Sequence, residues 1–554
     1  MYIDSCKTGK YKRHLLRESY RQAGRVKHRT VGNLSNCTDQ QIQALKWALR
    51  TKGALPPEPS SAQFQAVSLK QGLSIGAVSV LHRVSQELGL EAALGASQAG
   101  KLALWQILAR LIAQGSRLSA VRLAGSHAAC DVLALEPFCE DELYDNLDWL
   151  CENQPQLERS LFLAAHPDGK CDLFLYDVTS TYLEGLQNEL AAFGYNRDGK
   201  KGKLQLVIGL LCDAEGRPLT IEVFKGNTQD PKTVLPQIRK VAERFGGGAI
   251  TFVGDRGMLK SKQIEDLSES GFHYITAITK AQIESLLKTG VFTLELFDED
   301  LAEVYANEGV RYVLRRNPVR AKEMRDTRKA KLAAVKAQVE KKNDYLKAHP
   351  KAKVGVALRR VEERAKKLHL KDWVRVEEKQ RRLELIVDPD AEEEAARLDG
   401  CYALKTDLPA KAATLTTVHQ RYKDLSLVEW AFRTSKVSLL ELRPVYVRLE
   451  SRTRGHAVVV MLAYLIAHRL RELWQTVELT LEEALEELST LCLMDWRIDG
   501  KTMLGQVPEP RTLVKTLVDL AHVELPKMVV SRGITVSTRK KLVSERLTRS
   551  NTTR

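Results

Sequence analysis

The chain has 554 residues, of which 44% are hydrophobic and 28% charged, and it carries a formal net charge of +15. Its length exceeds what one hydrophobic core usually serves, so we expect two to four folded units, and the balanced composition excludes a disordered or collagen-like chain. The longest apolar run, residues 457–467, has 11 residues. This run is too short for a membrane-spanning helix, which needs about 20 residues.

The cysteines and the first residues bear on the cellular compartment. The nine cysteines are odd in number and form no Cys-x2-Cys pair, which favours reduced, mostly buried thiols over a disulfide framework or a zinc site. Polar and basic residues follow Met1 directly, without an apolar leader segment. We therefore expect a cytoplasmic protein with no membrane partner.

The positive charge is concentrated in two windows. Residues 1–35 contain nine Lys or Arg and two acidic residues, whereas residues 321–385 contain 21 Lys or Arg and 10 acidic residues. These windows together hold a net charge of +18, so the rest of the chain is close to neutral. Local basicity of this kind is expected of a protein that binds phosphates. For residues 321–385, a solvated helical hairpin whose charge only keeps it soluble is the alternative.

The first elements predicted along the chain are a basic β-hairpin and a helical unit. Residues 1–35 alternate polar and apolar side chains in short stretches around Gly24, which predicts the hairpin. A proline- and serine-rich stretch at residues 55–61 predicts a linker. From Ser74 to about Leu161, apolar residues recur at helical spacing, which predicts a domain of four or five helices.

A mixed sheet covered by helices is predicted next, because the hydrophobic period changes near Cys171 from about 3.6 to about 2 residues. Asp230 and Pro231 supply the N-cap and the first-turn proline of one of its helices. The predicted elements in chain order are strands at 172–181, 204–212 and 218–224, a helix at 230–244, a strand at 249–255, a short helix from 261 and a strand at 273–278.

Residues 281–400 interrupt this pattern and are predicted to be an insertion. They hold a strand pair, formed by residues 302–315 and 383–388, with a basic helical pair between the two strands. The helical pair is broken at the sequence His349-Pro350. After the insertion, apolar helices resume at 422–436 and 456–474, and the chain ends in a basic, polar tail from Val530.

Two aspartates end apolar runs that are predicted to be strands. Asp177 follows the run that begins at Leu173, and Asp255 follows the run that begins at Thr251. Catalytic groups of open sheets lie just outside strand ends, so two such ends on neighbouring strands would place two carboxylates side by side. Taken singly, each aspartate is more typical of a turn at a strand end.

A third carboxylate lies on a strongly helical segment. Tyr422, Glu429, Arg433 and Lys436 recur nearly in phase with the period of about 3.6 residues per turn, which predicts one shared polar face. An exposed face on which Glu429 pairs with Arg433 is the alternative interpretation.

Together these segments resemble the bacterial insertion-sequence transposases of the DDE class. The pattern Tyr422-x2-Leu-x3-Glu429-x6-Lys436 resembles the Tyr-x2-Arg-x3-Glu-x6-Lys helix signature of one branch of that class. Asp177 and Asp255 resemble its first two catalytic aspartates. The order of the motifs, their strand contexts and the long insertion before the glutamate also match. The resemblance covers roughly residues 170–475.

The resemblance implies an α/β, ribonuclease H-like fold and an enzyme that cleaves element ends and joins them to target DNA. Asp177, Asp255 and Glu429 would hold two divalent metal ions, Mg²⁺ or Mn²⁺, which suit hard oxygen ligands. ATP would not be required, and the sequence contains neither a complete Walker A loop nor an HExxH zinc helix. The implied partners are double-stranded DNA, as terminal inverted repeats and as target, and a second copy of the chain in the DNA complex. Nucleoid association would follow.

With this resemblance the chain divides into six predicted segments. These are a basic β-hairpin arm with linker (1–60), a helical DNA-binding domain (61–165), the first part of the catalytic domain (166–280), the insertion with its basic helical pair (281–400), the completion of the catalytic domain (401–475), and C-terminal helices with a basic tail (476–554).

By the resemblance and by charge, four side chains are expected to contact DNA: Tyr422, Arg433, Lys436 and Arg256. The signature arginine of the family is Leu425 here. Arg433, one helical turn beyond Glu429, would replace its phosphate contact, unless that contact is missing. Arg256 is either a phosphate contact or a partner of Asp255.

Two other functions remain open from the sequence. One is a transposase-derived DNA-binding protein with impaired catalysis, and the other is a metal-dependent nuclease on the same fold. Three histidines, His127, His273 and His456, have no spacing typical of metal ligands, so we expect them to be structural.

Overall fold

The computed structural model describes residues 1–8, 11–22, 24–50, 68–245, 250–306, 309–436, 439–443, 445–498, 501–530, 533–534 and 536. The predicted linker at 55–61 lies outside these residues, as does nearly all of the predicted tail after Val530. Among the helices in the described ranges, none is both long and apolar enough to cross a membrane.

The N-terminal arm is a three-stranded antiparallel sheet followed by a helix. Its elements are β1 (Tyr2–Thr8), β2 (Tyr11–Gln22), β3 (Arg25–Asn33) and α1 (Asp39–Arg50). The predicted hairpin around Gly24 is present as β2 and β3, and Gly24 takes a φ of +75° in its turn. The prediction missed β1, whose short run of mostly polar residues gives little hydrophobic alternation.

Six helices follow one short strand, where four or five helices were predicted. The elements are β4 (Ser68–Ser74), α2 (Gly76–Glu87), α3 (Leu90–Leu94), α4 (Gln98–Ile112), α5 (Arg117–Ala124), α6 (Ala129–Val132) and α7 (Glu140–Ala165). The helices α3 and α6 have only five and four residues. They are too short for a helical period to show in the sequence.

The predicted succession of three strands, helix, strand, helix and strand is confirmed. The elements are β5 (Leu173–Tyr182), β6 (Gln205–Cys212), β7 (Pro218–Lys225), α8 (Pro231–Arg244), β8 (Thr251–Gly254), α9 (Ser261–Glu269) and β9 (His273–Ala277). Most residues of these strands are buried, on both faces of the sheet. Burial on both faces favours the nearly continuous apolar runs from which the strands were predicted.

The region predicted as an insertion contributes strands to the main sheet as well as helices. Its elements are α10 (Lys280–Lys288), a short 3-10 helix (Glu295–Phe297), β10 (Ala302–Tyr305), β11 (Arg311–Arg316), α11 (Pro318–Ala348), α12 (Val354–Lys367), β12 (Val374–Lys379), β13 (Arg382–Val387) and α13 (Pro389–Ala396). The strand β14 (Cys401–Thr406) follows directly after this region.

The predicted pairing of residues 302–315 with 383–388 is wrong. β13 instead pairs with β12 in a separate two-stranded sheet, and β10 pairs with β11. The tight turn at Gln380 and Arg381, both with positive φ, joins β12 directly to β13. Pairing of adjacent strands closes a much shorter loop than pairing across the whole helical pair, so its loss of chain entropy is smaller.

The main sheet has eight strands in the order β10-β11-β14-β9-β8-β5-β6-β7. β5, β8 and β9 run parallel, and the remaining neighbours are antiparallel. The mixed α/β class predicted from the sequence is therefore confirmed. One hydrophobic cluster covers one face of the sheet and continues into the helices α2 to α7, and a second cluster lies under α8 and α9 on the other face.

The C-terminal part contains helices and three strands. Its elements are α14 (Leu415–Lys423), α15 (Leu425–Lys436), α16 (Glu450–Leu473), α17 (Leu481–Ser489), β15 (Cys492–Ile498), β16 (Lys501–Gln506), α18 (Thr512–Leu520) and β17 (Met528–Val529). The sequence predicted only helices after residue 476, but β15 to β17 form a sheet with β4. The apolar run 457–467 is buried in α16, which packs against α7, α4 and β7.

Candidate active site

Two of the predicted aspartates stand at the same level on neighbouring parallel strands. The register of β5 and β8 pairs Tyr176 with Gly254, and the next residue on each chain is Asp177 or Asp255. β8 ends at Gly254, so Asp255 lies just beyond a strand end, as predicted. Asp177 instead lies within β5, opposite Leu210 of β6, because β5 continues to Tyr182.

The glutamate helix brings the third carboxylate to the same place. α15 packs against β5, and Glu429 is exposed on the side of the helix away from the buried Val428. Burial raises the pKa of Asp177 to about 7, a hydrogen bond from the backbone of Val178 opposes the rise, and the charges of Asp255 and Glu429 add to it. The structure therefore places both Asp255 and Glu429 within electrostatic reach of Asp177.

Tyr422 reaches the second aspartate. Its hydroxyl donates a hydrogen bond of 3.2 Å to Oδ1 of Asp255. Burial raises the pKa of Tyr422, and the neighbouring Asp255 carboxylate raises it further. The hydroxyl therefore stays protonated and can orient the Asp255 carboxylate.

The predicted signature helix is two helices. α14 ends at Lys423 and α15 begins at Leu425, so Tyr422 and Glu429 do not share one continuous helical face. Both side chains nonetheless converge on the aspartates, because the two helices pack against the strands that carry them.

Lys436 was predicted to contact DNA, and the structure holds it in an ion pair. Its side chain is 8% exposed, and Nζ donates to Oδ1 of Asp198 at 3.1 Å. Burial lowers the pKa of Lys436, and Asp198 opposes that shift. Asp198 also accepts a hydrogen bond from Arg443. A contact between Lys436 and a phosphate would require this ion pair to open.

More than half of the chain matches a known family. Residues 170–466 match the family model described as the transposase DDE domain. The chain belongs to the DDE transposase family. The N-terminal part of the transposase, residues 4–58, matches the model of the IS1634 family transposase, N-terminal domain. These two matches identify it as an insertion-sequence transposase of the DDE class.

The transposase has a distant likeness to a solved structure. No curated protein matches. A cryo-EM structure of a piggyBac transposase synaptic complex with hairpin DNA aligns over 57% of this chain and 51% of that chain, with 7% sequence identity and a TM-score of 0.29. The transposase thus spans about half the length of that chain.

The other predicted DNA contacts of the transposase lie around the carboxylates. Arg433 is exposed, and its guanidinium lies 5.9 Å from the ring centre of Trp430. In the described structure it forms no ion pair with Glu429, so the alternative interpretation, an exposed face on which these two residues pair, is not supported. Arg256 is exposed and lies near enough to Tyr422 to oppose the rise in its pKa.

Arg197, which was not predicted as a site residue, and Asp230 also lie beside the carboxylates of the transposase. Nη2 of Arg197 donates to Oδ2 of Asp230 at 2.6 Å. Asp230 occupies the N-cap position of α8 and Pro231 lies in its first turn, as predicted, but the Asp230 side chain makes no capping hydrogen bond to the helix. A methyl group placed on Gly257 would lie 3.9 Å from Oδ2 of both Asp230 and Asp255.

The carboxylates of the transposase have the chemistry of a divalent metal site. Carboxylate oxygens are the ligands that Mg²⁺ and Mn²⁺ prefer, and three neighbouring like charges, one of them buried, need a cation to remain ionised together. Among the described residues, however, no three His, Cys, Asp or Glu side chains are already close enough to form a complete metal site. The family membership implies that the transposase depends on divalent metal ions.

The histidines and cysteines of the transposase take structural positions. His273 pairs with Asp407 at 3.1 Å, His127 is buried, and His456 is buried beside Arg117. None of the nine cysteines, all of which lie in the described part of the chain, forms a disulfide, which agrees with the prediction of reduced thiols, but only three of them are buried.

Proposed function

We propose that this DDE transposase cleaves DNA at the ends of its element and joins those ends to target DNA by phosphoryl transfer. The observation that carries the proposal is the convergence of Asp177, Asp255 and Glu429 from β5, β8 and α15. A mixed sheet with parallel β5 and β8 beside an antiparallel β5-β6-β7 meander supports a ribonuclease H-like catalytic core.

The three carboxylates would hold two divalent ions, Mg²⁺ or Mn²⁺, with Asp177 shared between them. When bound, such ions activate the attacking oxygen and stabilise the leaving oxygen of an in-line displacement. Asp177 is suited to the shared position because the charges of both other acids act on it and burial makes its own charge costly to leave uncompensated.

The remaining side chains would orient the substrate and the carboxylates. Tyr422 holds Asp255 through its hydroxyl, and the exposed Arg256 and Arg433 would contact phosphates beside the cleaved bond. Lys436 would reach a phosphate only after release from Asp198. One step hydrolyses a phosphodiester bond and the other exchanges one phosphodiester bond for another, so ATP is not required.

The basic surfaces would bind the DNA itself. We assign terminal-repeat recognition to the N-terminal arm, whose β3 is exposed along most of its length, and to the helical domain within residues 61–165. The insertion helices α11 and α12 would lie along the DNA backbone, since few of their residues are buried. Two chains would hold the two element ends, and the DNA-bound protein would associate with the nucleoid.

A cleavage and joining assay tests the proposal. Purified protein is incubated with Mg²⁺ and labelled DNA that carries the inverted repeats flanking its reading frame. We expect nicked and joined products from the wild type. We expect Asp177→Asn, Asp255→Asn and Glu429→Gln each to reduce the cleavage rate by at least about a thousandfold while they retain DNA binding.

Two controls define the outcome of this assay. Glu486→Gln removes another exposed helical glutamate, on α17, and should cleave at the wild-type rate. A scrambled repeat should not be cleaved. Nicking without joining would indicate a nuclease instead, and binding without nicking would indicate a DNA-binding protein. Full cleavage by Glu429→Gln would refute the assignment of the helix.

A further inference from the structure

The loop between β5 and β6, residues 183–204, carries two adjacent charged residues with opposite orientations. Arg197 faces the carboxylate site, whereas Asp198 points into the protein and its side chain is only 2% exposed. Neither residue belongs to the three motifs on which the sequence resemblance rests, and Arg197 lies in a polar stretch without periodicity.

Arg197 is fixed at the edge of the three carboxylates. Its backbone N–H donates to Oγ of the buried Ser180 at 2.9 Å, and its guanidinium binds Asp230. The guanidinium lies close enough to Asp177 to oppose the rise in the pKa of that residue. Its side chain is 27% exposed, so one part of the fork remains accessible to a ligand.

Asp198 clamps the loop that carries Arg197. Its Oδ2 accepts a hydrogen bond of 3.1 Å from the backbone N–H of Tyr182 at the end of β5. Its Oδ1 accepts from Lys436 at the end of α15, at 3.1 Å, and from Arg443. One buried carboxylate therefore ties the loop both to the strand of Asp177 and to the helix of Glu429.

The charge balance shows what Arg197 can contribute. At the position of the family arginine, Leu425 is buried and uncharged, and Lys436 is neutralised by Asp198. Arg197 is thus an accessible cation beside Asp177, held by partners from outside the glutamate helix. A guanidinium presents donors in a planar fork that matches two oxygens of a phosphate.

We propose that Arg197 is a substrate-binding residue that contacts a DNA phosphate beside the cleaved bond, and that Asp198 is a positioning residue that holds it there. This inference rests on the proposed function. Arg197 would exchange its bond with Asp230 for the phosphate, and would supply from the β5-β6 loop the contact that Leu425 cannot make.

Single-turnover cleavage of end DNA tests the contact. We expect Arg197→Gln to slow cleavage about 10- to 100-fold, as the loss of a charge-assisted hydrogen bond predicts, and Arg197→Lys to recover part of the rate. Lys203→Gln removes one positive charge from the same loop, where Lys203 pairs with Glu184 at 2.8 Å, and should cleave like the wild type.

Neutral phosphates in the DNA identify the partner of Arg197. Each phosphate flanking the cleaved bond is replaced in turn by a methylphosphonate. If the contact exists, a methylphosphonate at one position slows cleavage by the wild type about as much as Arg197→Gln does. The same methylphosphonate slows cleavage by the Arg197→Gln variant little further, because both changes remove the same interaction. Additive losses at every position would overturn the proposal, and this readout from the DNA side does not depend on the stability of a variant.

The positioning role of Asp198 has a separate readout. Asp198→Asn as a single substitution should slow cleavage. Added to Arg197→Gln, it should reduce the cleavage rate little further, because Asp198 acts through Arg197. Equal losses in both backgrounds would indicate a structural role only and would overturn this part. If the wild type does not cleave, the proposed function fails; if it cleaves and Arg197→Gln cleaves equally fast, only the contact fails.

Discussion

At the scale of single residues, Leu425 shows how a family position can change its role. The side chain is 9% exposed and belongs to the main hydrophobic cluster, together with Val428 and Phe432 of the same helix. An arginine at this position would have to leave the core or carry its charge into it. The phosphate contact of the family signature has therefore no structural place here.

Restoring the signature arginine is expected to harm the protein. Leu425→Arg should lower the free energy of unfolding by about 2 kcal/mol, because it places a charge in an apolar cluster, and should not increase cleavage. The thermal midpoint and the cleavage rate check this. Ser426→Arg adds the same group at the exposed neighbouring position and should leave the midpoint unchanged. A stable, faster Leu425→Arg variant would contradict the prediction.

Asp213 gives the stability a pH dependence. The side chain is fully buried, and Oδ1 accepts hydrogen bonds from the backbone N–H groups of Glu215 and Arg217. Oδ2 lies 3.8 Å from Nε2 of His166 and has no hydrogen-bond partner among the residues that the structure describes. Burial raises the pKa of Asp213 to about 6. The folded state thus binds this proton more tightly than the unfolded chain, and the associated stability is lost as the pH rises through about 6.

Asp213→Asn should therefore stabilise the protein at pH 8 relative to the wild type, by roughly 1–2 kcal/mol. The amide keeps the Oδ1 acceptor and removes the buried charge. At pH 4 the difference should nearly vanish, because the wild-type carboxyl is then protonated. Thermal midpoints across this pH range measure the effect. Asp300→Asn, at an exposed position, should show no such trend, and a pH-independent difference for Asp213→Asn would refute the assignment.

At the scale of elements, the contact between α7 and α16 joins the helical domain to the catalytic sheet. A methyl group on Gly455 of α16 would lie 2.0 Å from the backbone oxygen of Leu147 in α7. Since backbone atoms cannot move aside as a side-chain end can, the glycine sets the distance between the two helices.

Gly455→Ala should accordingly force the helices apart and lower the free energy of unfolding by about 2–3 kcal/mol. Gly355→Ala is the matched control, because Gly355 also lies in a helix, α12, and has open space at its Cβ position. It should be neutral or stabilise by about 0.5–1 kcal/mol. Thermal unfolding of both variants is the measurement, and equal midpoints would contradict the role of the α7-α16 contact.

The elements also show what a sequence can predict. The strands from β5 to β9 were predicted because their apolar runs are long and bounded by turns, and Asp177, Asp255 and Glu429 were predicted by motif spacing. The pairing of β12 with β13 depends on a turn in which two residues other than glycine, Gln380 and Arg381, have positive φ, so the sequence carries no glycine signal for this turn. The contact of Arg197 with Asp230 depends on the conformation of a loop, for which hydrophobic periodicity gives no signal.

At the scale of the whole molecule, the insertion carries a row of positive charge. The insertion presents Lys322, Lys329 and Lys336 as exposed side chains, spaced seven residues apart on α11 and thus on one face. A row of this kind can follow a DNA backbone. Each neutralised phosphate adds about 0.9 to the slope of log affinity against log salt concentration.

Replacing these three lysines by glutamine should weaken DNA binding at low salt and reduce that slope by up to about 2.7. The loss should be similar for element-end and unrelated DNA, because backbone contacts do not read sequence. Binding measured across salt concentrations is the test. Replacing the exposed Lys170, Lys288 and Lys515 removes the same charge elsewhere and should change the slope much less. Identical slopes for both triple variants would refute the proposed DNA path.

The attachment of the insertion to the sheet has a consequence for how such proteins diversify. α11, α12, β12 and β13 share an apolar cluster of their own, and the segment leaves and returns through hydrogen-bonded neighbours, since Arg316 of β11 pairs with Cys401 of β14. Next to this pair, the backbone N–H of Asn317 donates a hydrogen bond of 2.8 Å to the backbone oxygen of Gly400. A tight turn could bridge the same gap, so we expect β11 and β14 to keep their alignment when the length of the segment between them changes.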